Sequence, residues 1–180
     1  MPHLHGEHVF LREYREEDFI AIRGWINDPE VTGHLSPLFD TVQTEAMTRS
    51  FFDKVSKNEL PGHYFIIADK MTGAYLGQVD LRTNNDPSRQ AGLAIVIPER
   101  KHRGKGYGRE AMTLLLDFAF ARLNLHKVWL HVFTANEPAI KLYEALGFQR
   151  DGVLRDEVFR DGRYLDMYVM AILESEWRNR

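Results

Sequence analysis

The densest cluster of chemistry-bearing residues lies at 100–109, which reads RKHRGKGYGR and holds five of the chain's 23 lysines and arginines. Within it, Arg103-Gly104-Lys105-Gly106-Tyr107-Gly108 follows an apolar run over 92–97 closed by Pro98, and an apolar helical pattern begins near Arg109. Glycine-rich turns between a strand and a helix hold phosphates, because they gather several backbone N–H groups and the positive helix end around one anion. Spacing excludes two common loops of this kind. A Walker loop needs Ser or Thr directly after Gly-Lys, and here Gly104-Lys105 is followed by Gly106. A dinucleotide fingerprint needs its third glycine three residues after the second and an acid about 20 residues further on. Gly106 and Gly108 are only two apart, and Lys127-Val128 occupies the later position.

A second constellation follows downstream in ANEPAIKLYEALGF. Tyr143 shares one helix face with Ala139, Leu142 and Leu146, so it reads as a buried phenol that requires a hydrogen-bond partner. Asn136, just ahead of Pro138, suits a helix N-cap. Asp80 in GQVDLR, or Glu99, offers a carboxylate for proton abstraction. His3, His5 and His8 read as spaced histidines of a mobile terminus, and no metal is expected there. Neither Gly-x-Ser-x-Gly nor His-Glu-x-x-His occurs, which leaves serine-hydrolase and zincin chemistry unsupported. The absence of cysteine removes disulfides, thiolate metal sites and any acyl-cysteine intermediate.

Periodicity supplies the elements that must position these residues. HVFLREY reads as a short strand, EEDFIAIRGWIND as a helix ended by Asp28-Pro29, and TVQTEAMTRSFFDKVSK as a second helix with Thr41 as N-cap. HYFIIAD and AYLGQVDLR form a hairpin through the turn at 70–73, and the polar loop RTNNDPSR leads to a third strand, AGLAIVIP. After the basic window come the helix REAMTLLLDFAFARL, the strand KVWLHVF, the helix EPAIKLYEAL closed by Gly147, and a hairpin turning at Asp161-Gly162. The order predicts a mixed α/β layer, an antiparallel meander joined to strand-helix-strand units, with helices packed on a twisted sheet.

At 180 residues and 44% apolar composition, one domain spanning 1–180 is expected. No apolar run of membrane-spanning length occurs, and the start MPHLHGEHVF lacks a basic n-region and an apolar h-region, so a cytoplasmic protein is expected. A net charge of −3 argues against a general nucleic-acid binder. The locally concentrated basic charge suits a compact polyanion of nucleotide-cofactor size, and the acidic remainder suits a cationic substrate.

The loop and the downstream constellation together resemble the two halves of the cofactor site of the GNAT N-acetyltransferases, whose loop signature is Arg or Gln, two residues, Gly, one residue, Gly or Ala. WINDPEV, LHKVWLHV and FRDGRYLDMYVMAIL are further similar to the subgroup of spermidine and ribosomal-protein alanine N-acetyltransferases. The resemblance implies a central, twisted, mostly antiparallel sheet splayed at the cofactor site, with flanking helices. It implies acetyl-CoA as donor, held by the backbone of Ile95, Val96 and Ile97, by Arg103, Gly104, Lys105, Gly106, Tyr107, Gly108 and Arg109, and by Asn136, Ala139 and Tyr143. Tyr143 would protonate the leaving thiolate. Relatives often carry a glutamate early in the strand before the loop, where Gly92 stands here, so Asp80 is the substitute base. The acceptor is a primary amine attacking directly in a ternary complex: a polyamine, a protein N-terminus or an aminoglycoside. For a polyamine the carboxylates available are Asp28, Glu30, Asp40, Glu45 and Asp80. The alternative is a non-catalytic acyl-CoA-binding module. Neither nucleic acid nor membrane is expected as partner, and an exposed hairpin strand offers an edge for a homodimer.

Overall fold

A computed structural model describes residues 3–83 and 87–180. Strands β1 (Leu4–His5), β2 (Val9–Arg12), β3 (His63–Asp69), β4 (Tyr75–Thr83), β5 (Gln90–Val96), β6 (Lys127–Phe133), β7 (Gln149–Arg160) and β8 (Arg163–Leu173) form one sheet. Their order is β1-β2-β3-β4-β5-β6-β8-β7, antiparallel throughout except between β5 and β6. The helices are α1 (Asp18–Trp25), α2 (Pro29–Thr32), α3 (Glu45–Ser56), α4 (Tyr107–Asp117), α5 (Glu137–Ala145) and α6 (Glu174–Arg178). The expected mixed α/β layer is thus borne out.

Several local expectations are corrected. Thr44, not Thr41, caps α3, its hydroxyl accepting from the Met47 N–H at 3.2 Å. The first helix stops at Trp25, and Asp28-Pro29 opens a short helix instead: the Asp28 carboxylate accepts from Glu30 N–H, and proline fits the first helical position. The helix after the basic window begins at Tyr107 rather than near Arg109, and its last turn, Phe118–Arg122, widens into a π-helix. The loop expected over 82–89 includes residues 84–86, which lie outside the described ones.

Side-chain alternation gives the sheet two apolar faces. On one, Phe65, Ile67, Val79, Leu81 and Leu93 meet Ala111, Met112, Leu115 and Leu116 of α4 and Ile140 and Tyr143 of α5. On the other, Ile66 and Ala68 meet Phe19, Ile22 and Trp25 of α1 and Phe52 of α3. An ion pair pins α1 to β2: Arg12 grips Asp18 through two 2.8 Å bonds, their side chains 1% and 2% exposed. Removing one partner from such a pair leaves an uncompensated buried charge.

The parallel junction matters most for function. β5 pairs with β4 from Ala91 to Val96, but with β6 only at Gln90, Ala91 and Gly92. Beyond Gly92 the two strands separate, and Leu130 to Phe133 of β6 pair with β8 alone. Further along, β4 carries a register shift opposite Ile67 and Ala68, and its Gly77 admits the Val96 carbonyl. A Cβ at residue 77 would lie 2.2 Å from that oxygen, so glycine permits the close approach of β5 to β4 there.

Candidate active site

The glycine-rich window stands at the open end of this gap. Arg103 closes the turn on itself, its Nε donating to the Ile97 carbonyl at 2.8 Å and an Nη to the Pro98 carbonyl at 2.7 Å. Gly104 and Gly106 have φ of +71° and +85°. The space around both is open, so their glycine identity reflects backbone conformation alone. Gly108 instead marks a close approach: a Cβ there would lie 3.4 Å from Ile97 and 3.7 Å from Leu142, where β5, α4 and α5 converge.

The first intrahelical bond of α4 runs from Glu110 N–H to the Gly106 carbonyl, so the N–H groups of Tyr107, Gly108 and Arg109 have no helical partner. With the positive helix end they form an anion cradle. Lys105 and Arg109 are exposed beside it and form no ion pair among the described residues. Glu110 anchors this turn, accepting from the N–H groups of His8 (2.9 Å) and Val9 (3.4 Å). Burial pushes its carboxyl up, but these donors outweigh it and hold the group below its ordinary value.

Strand geometry refines which backbone groups face the gap. The Val96 carbonyl points at Gly77 of β4, and the Ile97 carbonyl accepts from Arg103. In an extended strand the N–H and C=O of one residue share a side that alternates along the chain. Ile95 is therefore the residue presenting both groups toward β6, and Val96 is not.

Tyr143 sits buried on the core side of α5 with its ring 5.9 Å from Phe148. Burial pushes its hydroxyl up to about 12, and it makes no protein hydrogen bond among the described residues. The helix carrying it is fixed at both ends. Asn136 accepts from Ala139 N–H at 3.4 Å and donates its own N–H to the Phe133 carbonyl, while Gly147, at φ +95°, ends the helix. Ala139 spends its N–H on this cap.

Asp80 lies on the opposite face, 18% exposed and paired with Arg82 Nε at 2.8 Å. Burial raises its carboxyl to about 6, against the opposing pull of Arg82. It acts electrostatically on Tyr14 and Tyr64, and nothing among the described residues joins it directly to Tyr143. The expectation of a glutamate near residue 92 also has a structural answer. A Cβ on Gly92 would lie 3.1 Å from the Trp129 ring, so an indole fills the space above it.

Sequence reasoning missed His131. Gly92, Ala94 and Asp80 share a sheet face by register, as do Trp129 and its strand neighbours His131 and Phe133. His131 is exposed beside Trp129, ring centroids 5.1 Å apart, on the far wall of the gap from Asp80. Only the period-two pattern of KVWLHVF hints at this placement.

A sheet opened between two parallel strands, with an anion-holding loop at the mouth of the opening, offers a cleft for an extended, anionic ligand. Comparison with known proteins narrows the class. Residues 8–149 match the family described as an acetyltransferase (GNAT) domain, and the chain belongs to it as a GNAT-type N-acetyltransferase. It is 31% identical over 179 residues to the uncharacterized N-acetyltransferase p20 of Bacillus licheniformis, covering 98% of this chain and 99% of that protein. It is 42% identical over 117 residues to the spermidine N(1)-acetyltransferase of Vibrio cholerae, covering 64% and 66% of the two chains. The crystal structure of spermidine N-acetyltransferase from Vibrio cholerae with CoA and spermine superposes with a TM-score of 0.85 at 30% identity, covering 97% of this chain and all of the other.

Proposed function

We propose that this protein transfers acetyl from acetyl-CoA to a primary amine by direct attack in a ternary complex, as a single domain over 1–180. The observation that carries the reading is the free edge of β5 at Ile95, leading straight into the N–H groups of the loop and of α4. Acetyl-CoA fits that combination, since its pyrophosphate suits the cradle and its pantetheine amides suit an unpaired strand; bound there, it supplies an activated thioester. The N–H groups from Gly104 to Arg109, with Lys105 and Arg109, hold the phosphates. The Ile95 backbone orients the acyl arm and polarises its carbonyl. Tyr143 keeps its proton at every physiological pH and has it available for the departing sulfur. Asp80, ionised above about pH 6, takes the proton from the amine.

Spermidine is the first acceptor to test, because relatives are named for it. A second reading has its own observation. Among the carboxylates available to a polyamine, Asp40 is paired with Arg160, Asp80 with Arg82 and Glu30 with Arg100, while Asp28 caps α2. Glu45 forms no ion pair among the described residues, and the pairing of three of the five carboxylates favours an acceptor with a single amine, such as a protein N-terminus. Thiol release measured with spermidine, N-terminal peptides, aminoglycosides and small amines decides between them, with competition by spermidine against a peptide as the direct contrast. A dodecameric structure of the Vibrio cholerae relative supports examining self-association as well, for which the free edge of β7 is the surface to test.

A further inference from the structure

The gap divides the sheet into β1 to β5 and β6 to β8. On the α4 and α5 face a continuous core joins the halves. On the other face the segment from α2 to α3 crosses the open end as a strap. Its Glu30 stands 4.0 Å from Arg100 on the β5 side, and its 33–40 loop reaches the β6 side. There the loop meets Arg160, the last residue of β7, whose guanidinium lies 5.0 Å from the Phe133 ring at the end of β6. Arg160 donates to the Gly33 carbonyl at 2.5 Å and the Leu35 carbonyl at 3.2 Å, and pairs with Asp40 at 2.6 Å.

Its side chain is 11% exposed, which strengthens its charge-assisted bonds, while its partners Gly33 and Asp40 lie at the surface. The strap's other anchor is independent. Leu35 and Phe39 pack into the α1 and α3 core, and Gln43 donates to the Leu38 and Thr41 carbonyls while Asn27 donates to the Gln43 carbonyl.

We propose that Arg160 is a positioning residue, which draws the 33–40 loop across the open end of the gap and so sets the fit of the amine acceptor. The inference rests on the gap being the acetyl-transfer site. Without the guanidinium, the loop keeps its α1 anchor and loses its hold on β6. The donor loop is held separately by Arg103 and Glu110, so the acceptor side alone should respond.

Acceptor KM, CoA affinity by calorimetry and amide exchange at 34–40 should be compared in wild type, Arg160→Met, Arg160→Lys and Asp40→Asn. Arg163→Met, its exposed register partner, is the control. Arg160→Met should raise acceptor KM about tenfold or more, since small misplacements around a reacting pair are costly. Exchange at 34–40 should accelerate, CoA affinity should hold, the two milder variants should fall between, and the control should match wild type. Unchanged acceptor KM in Arg160→Met, or acceptor and CoA binding weakening in parallel, would overturn the proposal. A wild type that acetylates no amine would overturn the parent reading instead. The exchange arm would then still judge the clamp, which equal protection at 34–40 in wild type and Arg160→Met rejects.

Discussion

At the scale of single residues, two protons with different environments define the account. Tyr143 is buried with its hydroxyl pushed up to about 12, so it stays a donor throughout the working pH range. Tyr143→Phe keeps the packing against Phe148 and removes only that proton. We expect kcat to fall about 10²-fold with CoA affinity retained, read by steady-state kinetics and calorimetry. Asp80 is the opposite case, a carboxyl raised by burial to about 6. As a base it works ionised, so kcat/KM should rise with pH through about 6 and then level. Asp80→Asn should remove that limb, and Arg82→Gln, which deletes the opposing cation, should move it to higher pH. Stability runs the opposite way: the folded carboxyl holds its proton more tightly than the unfolded one, so ionising Asp80 costs stability as pH rises between about 4 and 6. Asp80→Asn should flatten that slope in urea titrations. A limb that persists in Asp80→Asn would take the base role from Asp80.

At the scale of elements, the loop was the most legible feature, because its glycines encode local backbone shape. Gly104 and Gly106 occupy the left-handed region, where an L side chain costs about 1–2 kcal/mol. Gly104→Ala and Gly106→Ala should therefore raise KM for acetyl-CoA while leaving acceptor KM unchanged. Strand and helix order were legible for the same local reason, and β3 and β6 fall on the residues that HYFIIAD and KVWLHVF predict. What escaped was either too short or decided from afar. β1 has two residues and α6 five, too few to show a period. Thr41 and Thr44 are equivalent caps by type, and only the bond to Met47 separates them. By sequence Gly92 reads as a lost carboxylate, whereas in the fold the indole of Trp129 fills the space above it. That fact belongs to the pairing of β5 with β6 and to no local pattern.

At the scale of the whole molecule, the sheet opens between β5 and β6, and the core on the α4 and α5 face keeps the halves in place. Within the β1 to β5 half, the pair Arg12 and Asp18 pins α1 to the sheet. Asp18→Asn should cost about 3–5 kcal/mol of unfolding free energy, because it strands the Arg12 charge in the interior. A chemical-denaturation curve with unchanged slope and a lower midpoint would show it. The strap over the gap and the pairing of Asp40 with Arg160 and of Glu30 with Arg100 are not legible in the sequence, since each joins residues distant along the chain, whereas Asp80 is legible in GQVDLR as a candidate carboxylate. The central claim is that acetyl passes from CoA to an amine in this gap while Tyr143 protonates the departing sulfur. Thiol release from acetyl-CoA, followed with a thiol-reactive dye across the amine panel, tests it most directly, and a chain without cysteine adds no background. The account predicts release with one amine class, strongly reduced in Tyr143→Phe. Equal release by Tyr143→Phe, or none with any amine despite CoA binding, would contradict it.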